Sequence, residues 1–436
     1  MSNRRKYLSA DGLYLSISKI LHRAKFPKYS KSNISWHDCI MSGLAVFGLK
    51  FPSLLQFDRE KTDGIISRNL KNLYRVQKVP SDTCMRERLD KLSPKNFRRA
   101  FKIIFSHLQR SKVLERYKYM EDHYLLSIDG TGQYSSKKVN CKNCCEKHHR
   151  NGDTTYYHQM LGAVIVHPDE KVVIPLAPEP IVKGDGDNKN DCERNASKRM
   201  LKDFRREHPH LKAIILEDGL ASNYPHLSLL DELKLQYVIG VKEGDHKYLF
   251  DWIKYAKGNE VEITINKVKH KFRYVNDVPL NDNHVDYRVN VLEYWEEKPS
   301  GRVQHFSWVT SFEITDKNVH ELMKAGRARW KIENETFNTL KNQGYNFEHN
   351  YGHGKNNLCS VMTMLMLLAF LIDQVQQLCC KSYQKAKEKA GSFRELFIEK
   401  RVLFQYVVWE TWQNMYETII SPSQHPPPIG ILPPEK

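Results

Sequence analysis

The sequence lacks a long uninterrupted hydrophobic run. Its longest apolar stretch, Leu358–Ile372, is 15 residues, holds Ser360 and Thr363, and is closed by Asp373. A membrane span needs about 20 such residues, so this stretch reads as a buried helix. The opening residues, Met-Ser-Asn-Arg-Arg-Lys, have no apolar segment of the kind a secretory signal requires. Cysteine is sparse: nine residues, an odd number, and clustered. That argues against a disulfide scaffold and for a reducing, cytoplasmic setting. No internal repeat is visible. Disorder is not the expectation either, because 40% of residues are hydrophobic and 11% aromatic, enough for a sizeable core.

Negative charge is scarce in one region. Residues 1–120 hold 26 Lys/Arg against nine Asp/Glu, while residues 121–436 hold 42 of each. The whole net charge of +17 therefore sits in the N-terminal quarter. A localised positive patch points first to nucleic acid; a basic, solvated helical face is the plainer reading.

Residues 1–120 read as a small, basic, helical DNA-binding domain. Ile40–Gly48, Asn72–Val76, Met85–Leu92 and Asn96–Leu114 carry helix-compatible patterns. Ser81-Asp82-Thr83 and Ser93-Pro94 supply N-terminal signals for the last two. The texture changes at Tyr124. Tyr124–Ile128, Gln159–His167 and Lys171–Leu176 read as strands, the last two joined by a Pro168-Asp169-Glu170 turn. A polar loop (Lys183–Asn190), a helix (Asp191–Glu207), a strand (Lys212–Leu216), a helix (Pro225–Leu233) and a strand (Gln236–Val241) follow. Residues 121–258 thus form the first part of a mixed α/β sheet. In residues 259–312 period-2 alternation predicts antiparallel strands with no helix between them, an inserted β-subdomain. Residues 313–380 return to helix, beginning at an N-cap on Thr315 and running to about Lys341, then the apolar helix Leu358–Leu378. Residues 381–436 hold an amphipathic segment, Ser392–Ile420, and a tail with six prolines.

Two acids occupy one kind of position. Asp129 closes a strand in Leu-Ser-Ile-Asp-Gly-Thr, and Asp218 closes another in Ile-Leu-Glu-Asp-Gly-Leu. Sites in open α/β sheets form at the carboxyl ends of strands, and Mg²⁺ or Mn²⁺ takes carboxylate oxygens. Two such cations can clamp both oxygens of an in-line phosphodiester displacement. Asp-Gly after a strand can equally be a turn. Arg329-Trp330-Lys331-Ile332-Glu333-Asn334-Glu335 offers a third acid: Arg329 and Glu333 share one helical face. That pair also fits a surface ion pair.

Cys141-Lys142-Asn143-Cys144-Cys145-Glu146-Lys147-His148-His149 has zinc-like spacing. Cys141 and Cys144 with His148 or His149 give three ligands; Cys145, His158 or Cys192 supplies a fourth. A closed site of this kind is structural, a small zinc knuckle beside Asp129. A metal-free reduced loop is the alternative, and either way Lys137, Lys138, Lys142, Lys147 and Arg150 could contact DNA.

Asp129, Asp218 and Glu333, with an all-β insertion between the last two, resemble the DDE transposases of bacterial insertion sequences. Arg329-Trp330-Lys331-Ile332-Glu333 is similar to the signature helix of the cut-and-paste group. Phe337-Asn338, Leu340-Lys341-Asn342, Gly344-Tyr345 and Glu348–Gly354 are similar to one branch of it. The resemblance covers about residues 120–375. It implies an RNase H-like core with a β-insertion before the final Glu, Mg²⁺ or Mn²⁺ on the three acids, and DNA strand cleavage and transfer. It implies phosphate contacts from Arg329, Lys341, His349 and His353, and a base-stacking role for Trp295 or Trp308. It implies terminal inverted repeats and target DNA as partners, a homodimer on paired ends, no membrane, and a bacterial, nucleoid-associated location. An RNase H-like nuclease or resolvase without strand transfer, a non-catalytic DNA-binding derivative, and a zinc-dependent regulator are the rival readings. Two departures stand out. The family pattern often has Tyr where this chain has Gly326. It places Lys seven residues after the Glu, where this chain has Leu340, with Lys341 one step on. Glu335 is the second choice for the third acid.

Overall fold

The computed structural model describes residues 5–27, 33–61, 63–183 and 193–428. A short 3₁₀ turn precedes six helices: α1 (Ala10–Arg23), α2 (Trp36–Gly48), α3 (Leu54–Glu60), α4 (Gly64–Tyr74), α5 (Asp82–Leu89) and α6 (Arg98–Arg110). The first five start on short polar side chains. Ser9, Ser35, Ser53, Asp63 and Ser81 each accept a hydrogen bond from a backbone N–H of the first turn, satisfying donors that the helix itself cannot. Ser93 forms a reciprocal cap with Asn96 around a 3₁₀ turn, Pro94–Phe97, and α6 begins after it.

The sheet region runs β1 (Lys118–Tyr119), β2 (His123–Ser136), β3 (Cys145–His148), β4 (Thr154–His167), β5 (Glu170–Pro175) and β6 (Glu179–Ile181). Then come α7 (Glu193–Glu207), β7 (Ala213–Glu217), α8 (Tyr224–Glu232), β8 (Gln236–Gly240) and α9 (Lys247–Tyr255). β9 (Asn259–Ile265), β10 (Val268–Pro279), β11 (Arg288–Glu297) and β12 (Val303–Thr310) form an antiparallel meander. β4 is antiparallel to β2 and β5, while β2, β7 and β8 are parallel neighbours. This order, β5-β4-β2-β7-β8, is the RNase H-like arrangement, within a mixed α+β fold. The insertion continues it: β12 pairs antiparallel with β8, so one 12-stranded sheet runs through both parts.

After the sheet, α10 (Val319–Ala328), a π-helical turn (Ile332–Phe337) and α11 (Asn338–Asn342) replace the single helix expected from Thr315. The N-cap is Asn318, whose side-chain oxygen accepts from the Thr315 N–H. α12 (Leu358–Cys379) is apolar all round, as a fully enclosed helix should be. It is long and apolar enough to cross a membrane, yet 94% of its apolar window is buried inside the protein. Its N-terminus is held by Asp90 at the end of α5. The Asp90 carboxylate accepts from the backbone N–H groups of Lys355, Asn356, Asn357 and Leu358. Burial opposes its charge, but these donors keep it below the usual carboxylate range.

α13 (Lys381–Ala390), α14 (Phe393–Tyr406) and α15 (Trp412–Ile420) fold back onto the N-terminal helices. Asn69 donates to the carbonyls of Phe404 and Val407 and accepts from the Trp409 N–H. Asp11 accepts from the N–H groups of Trp412 and Gln413. The two ends of the chain thus build one helical body around α12. At its centre Lys50 Nζ lies 2.7 Å from Asp373, which also accepts from the Tyr345 hydroxyl at 2.6 Å. Burial lowers Lys50 to about 8, the Asp373 charge opposing the fall.

Candidate active site

The parallel register sets two acids side by side. Ser127 on β2 pairs with Leu216 on β7. Two residues beyond on each chain lie Asp129 and Asp218, and neighbouring strands run about 4.8 Å apart. The two acids line one small cavity together with Glu193. Asp218 leaves the strand as the N-cap of a 3₁₀ turn, its Oδ1 accepting from the Leu220 N–H at 3.0 Å.

Glu333 comes from the helical side. Arg329 spans the gap: Nη1 donates to Asp129 Oδ2 at 2.7 Å, and Nη2 to Glu333 Oε1 at 3.2 Å. The Arg329 carbonyl accepts from Ser127 Oγ, fixing this helix to β2. Burial lifts the Asp129 carboxyl to about 6; the Arg329 charge pulls it down, and the adjacent Glu333 pushes it up. Glu335, two residues on and so about half a turn round the helix, lines the larger cleft instead. Among the described residues the three acids are not all within 4.8 Å of one another.

The π turn explains the lysine position. The Asn338 N–H bonds to the Glu333 carbonyl, a five-residue spacing. Ile332 and Phe337, five apart, both pack against Gly162 of β4, where a Cβ would lie 3.0 Å from the Phe337 ring. Such a turn absorbs one extra residue. Eight steps from Glu333 then act as seven α-helical ones, returning a side chain to within about 20° of its start. Leu340 is fully buried, and Lys341 points outward to Glu348 at 2.9 Å. The one-residue offset therefore keeps Lys341 on the face of Glu333. Gly326 has a local reason as well: a Cβ there would meet the Trp308 indole at 2.5 Å. Trp308 already fills that space.

Beside the acids lies a cleft of about 1280 Å³ between the core and the β-insertion, lined by Asp218, Trp295, His305, Arg327, Arg329 and Trp330. Trp295 stacks on His305 with centroids 4.6 Å apart, and Trp330 is 54% exposed. Both tryptophans considered for stacking line this cleft; Trp308 is buried and Trp295 is half-buried.

The Cys/His ligand set differs from the expected one. His148 and His149 are exposed and bond to Thr154 and Thr155. The set that converges is Cys141, Cys144, His158 and His353. His353 is buried in it, which withdraws it from the role of surface phosphate contact; His349 stays exposed. Cys145 is buried with its thiol toward the Ile181 carbonyl, and Cys192 lies outside the described residues. Cys141 is held below the ordinary thiol range mainly by the Cys144 thiol, with His158 and His353 adding, and Cys144 is correspondingly raised.

Glu193 at the start of α7 was not singled out by the sequence. Its carboxylate packs on Gly130, where any Cβ would overlap it. Burial raises it above the usual range, with Asp218 and Glu217 adding. Its only sequence signal was an acid in the first turn of a charged helix.

The sheet order is RNase H-like, with Asp129 and Asp218 lying just past the parallel β2–β7 pairing. The family model described as "Transposase DDE domain" matches residues 123–371. That is more than half of the chain, and the chain belongs to this transposase family. No curated protein gives a match. The matched span starts at β2 and ends within α12, leaving the N-terminal and C-terminal helices outside it.

Proposed function

We propose that this chain is an active DNA transposase that cuts the ends of its element and joins them to target DNA. Asp129, Asp218 and Glu333 would hold two divalent cations, Mg²⁺ or Mn²⁺: Asp129 and Asp218 line one cavity, Glu333 is tied to Asp129 through Arg329, and carboxylate oxygens suit hard ions. When bound, such cations activate the attacking oxygen and offset charge on the phosphate. Water then attacks the phosphorus at the element end, releasing a 3′-hydroxyl. That hydroxyl attacks a target phosphodiester and displaces the target's 3′-oxygen, so phosphodiester bonds are conserved in joining.

The observation carrying this reading is that Asp129 and Asp218 each lie two residues past the last β2–β7 pair and line one cavity, with Glu333 tied to Asp129 through Arg329. In the free protein Arg329 offsets the acids' mutual repulsion; with cations present it is released toward phosphate. Lys341 and His349, both on the surface, are placed to meet backbone phosphate. The Trp295–His305 stack suits a base drawn out of the duplex. The basic N-terminal helices capture element ends, and a groove of about 510 Å³ between α1 and α6, bordered by Lys19, Arg23 and Arg110, supports that role. The functional unit is a homodimer on paired inverted repeats, working on DNA in the bacterial cytoplasm. The test is purified protein with paired ends, Mg²⁺ and a target plasmid. Joined products support the proposal. Cleavage without joining indicates a nuclease or resolvase, and binding without cleavage a non-catalytic derivative.

A further inference from the structure

Cys141 and Cys144 sit in the loop between β2 and β3, His158 on β4, and His353 in the loop between α11 and α12. Cys144 and His353 are 209 positions apart, yet Sγ and Nε2 lie at 3.2 Å. His158 Nε2 is 3.4 Å from Cys141 Sγ and 3.5 Å from Cys144 Sγ. The two sulfurs are 3.8 Å apart, well outside a disulfide bond. A tetrahedral ion with metal–sulfur bonds of about 2.3 Å and metal–nitrogen bonds of about 2.0–2.1 Å requires S···S near 3.8 Å and S···N near 3.5 Å. The S···S separation and both S···N separations of His158 match these values, Cys144–His353 is somewhat shorter, and all four ligand atoms lie within 4.8 Å of one another. Both imidazoles present Nε2 to the cluster, and their rings are inclined at 64°. Cys144, His158 and His353 are buried to 1%, 2% and 6% exposure. Positive φ at Gly352 (+135°) and Gly354 (+70°) turns the chain so that His353 faces inward.

We infer that Cys141, Cys144, His158 and His353 bind one zinc ion that clamps the β2–β4 hairpin loop to the segment following the Glu333 helix. Two thiolates with two imidazoles in tetrahedral array select zinc over hard cations. Four protein ligands leave no open position, so the ion is structural. It acts at a junction. Asn143, between the two cysteines, donates to the Asn356 carbonyl at 2.6 Å and to Asn357 Oδ1 at 3.1 Å. The same Asn356 and Asn357 are held by Asp90 of the N-terminal helices. One ion thus secures three parts: the hairpin loop, the link from Glu333 to α12, and the N-terminal body. This assignment is independent of the reaction proposed for the carboxylates.

The test is metal analysis of the full-length reduced protein, with cobalt substitution as the spectroscopic probe. One zinc per chain, and a cobalt form with thiolate charge-transfer and intense tetrahedral visible bands, support the inference. Cys144→Ser and His353→Asn should lose the ion and lower the unfolding midpoint. The double variant His148→Ala, His149→Ala should keep both. If the single variants do not fold, the cobalt spectrum of the unaltered protein decides. Reduced protein that takes up neither zinc nor cobalt overturns the inference. So does an unchanged tetrahedral spectrum in His353→Asn, or a Cys141–Cys144 disulfide in metal-free protein as isolated.

Discussion

The two ligand clusters of this protein are built on opposite plans. The Cys/His cluster is closed: its four ligand atoms lie within 4.8 Å of one another, and three of its residues are buried. The carboxylate cluster is open: Asp218 and Glu333 are exposed, and Arg329 stands between Glu333 and Asp129. Neutral or soft ligands can converge without an ion because their mutual repulsion is small. Three ionised carboxylates cannot, and a guanidinium keeps them near one another without letting them close. An open site suits cations that come with substrate phosphates. A closed site suits an ion that stays.

That contrast can be broken first at the acids. Asp129→Asn, Asp218→Asn and Glu333→Gln should each lower DNA cleavage by on the order of 10³-fold or more, with end binding, zinc content and unfolding midpoint retained. A cleavage assay alongside metal analysis checks this. Removing loosely bound cations with a mild chelator should abolish cleavage reversibly, added Mg²⁺ restoring it, while zinc stays bound. If both ions leave together, the contrast fails.

The frames around the sites give smaller effects. Gly326→Ala should cost about 1–3 kcal/mol, because its Cβ meets the Trp308 indole and overpacking a filled space is destabilising; chemical denaturation measures it. His208 sits between Phe105 of α6 and Phe204 of α7, where the helical body meets the core. Burial lowers it to about 4, with Lys102, Arg98 and Arg205 adding. Its folded value is depressed, so its contribution is full above pH 6.5 and is lost as pH falls toward 4, by up to about 3 kcal/mol. His208→Phe should flatten the stability profile in that window. Lys341→Ala should leave stability within about 1 kcal/mol, since its partner Glu348 is exposed. It should also reduce the salt dependence of DNA binding by about one phosphate contact. Leu340→Lys, which restores the common spacing, should destabilise instead by burying a charge.

Most of the sheet order was legible because local signals were strong. Asp218-Gly219 follows the end of β7 as expected, whereas β2 does not close at Asp129-Gly130 but runs on to Ser136, paired with β4; Pro168-Asp169 marked the β4–β5 turn, and Ser81 capped a helix where expected. Three features were not. The π turn depends on Gly162, on a strand far away in sequence, and helical periodicity assumes 3.6 residues per turn throughout. His353 joins the cysteines only through the tertiary fold, whereas spacing rules favoured the adjacent His148 and His149. Glu193 looked like an ordinary first-turn acid, and only packing against Gly130 brings it to the site.

Under the proposed function Glu333, linked to Asp129 by Arg329, is the third acid of a cation-dependent transposition site. The most direct measurement is Mg²⁺-dependent cleavage of DNA bearing the terminal sequences that flank this reading frame, comparing the unaltered protein with Glu333→Gln and Glu335→Gln. The expected result is cleavage by the unaltered protein and Glu335→Gln, with none by Glu333→Gln although it still binds the ends. Cleavage by Glu333→Gln at the unaltered rate, or its loss only in Glu335→Gln, would contradict it.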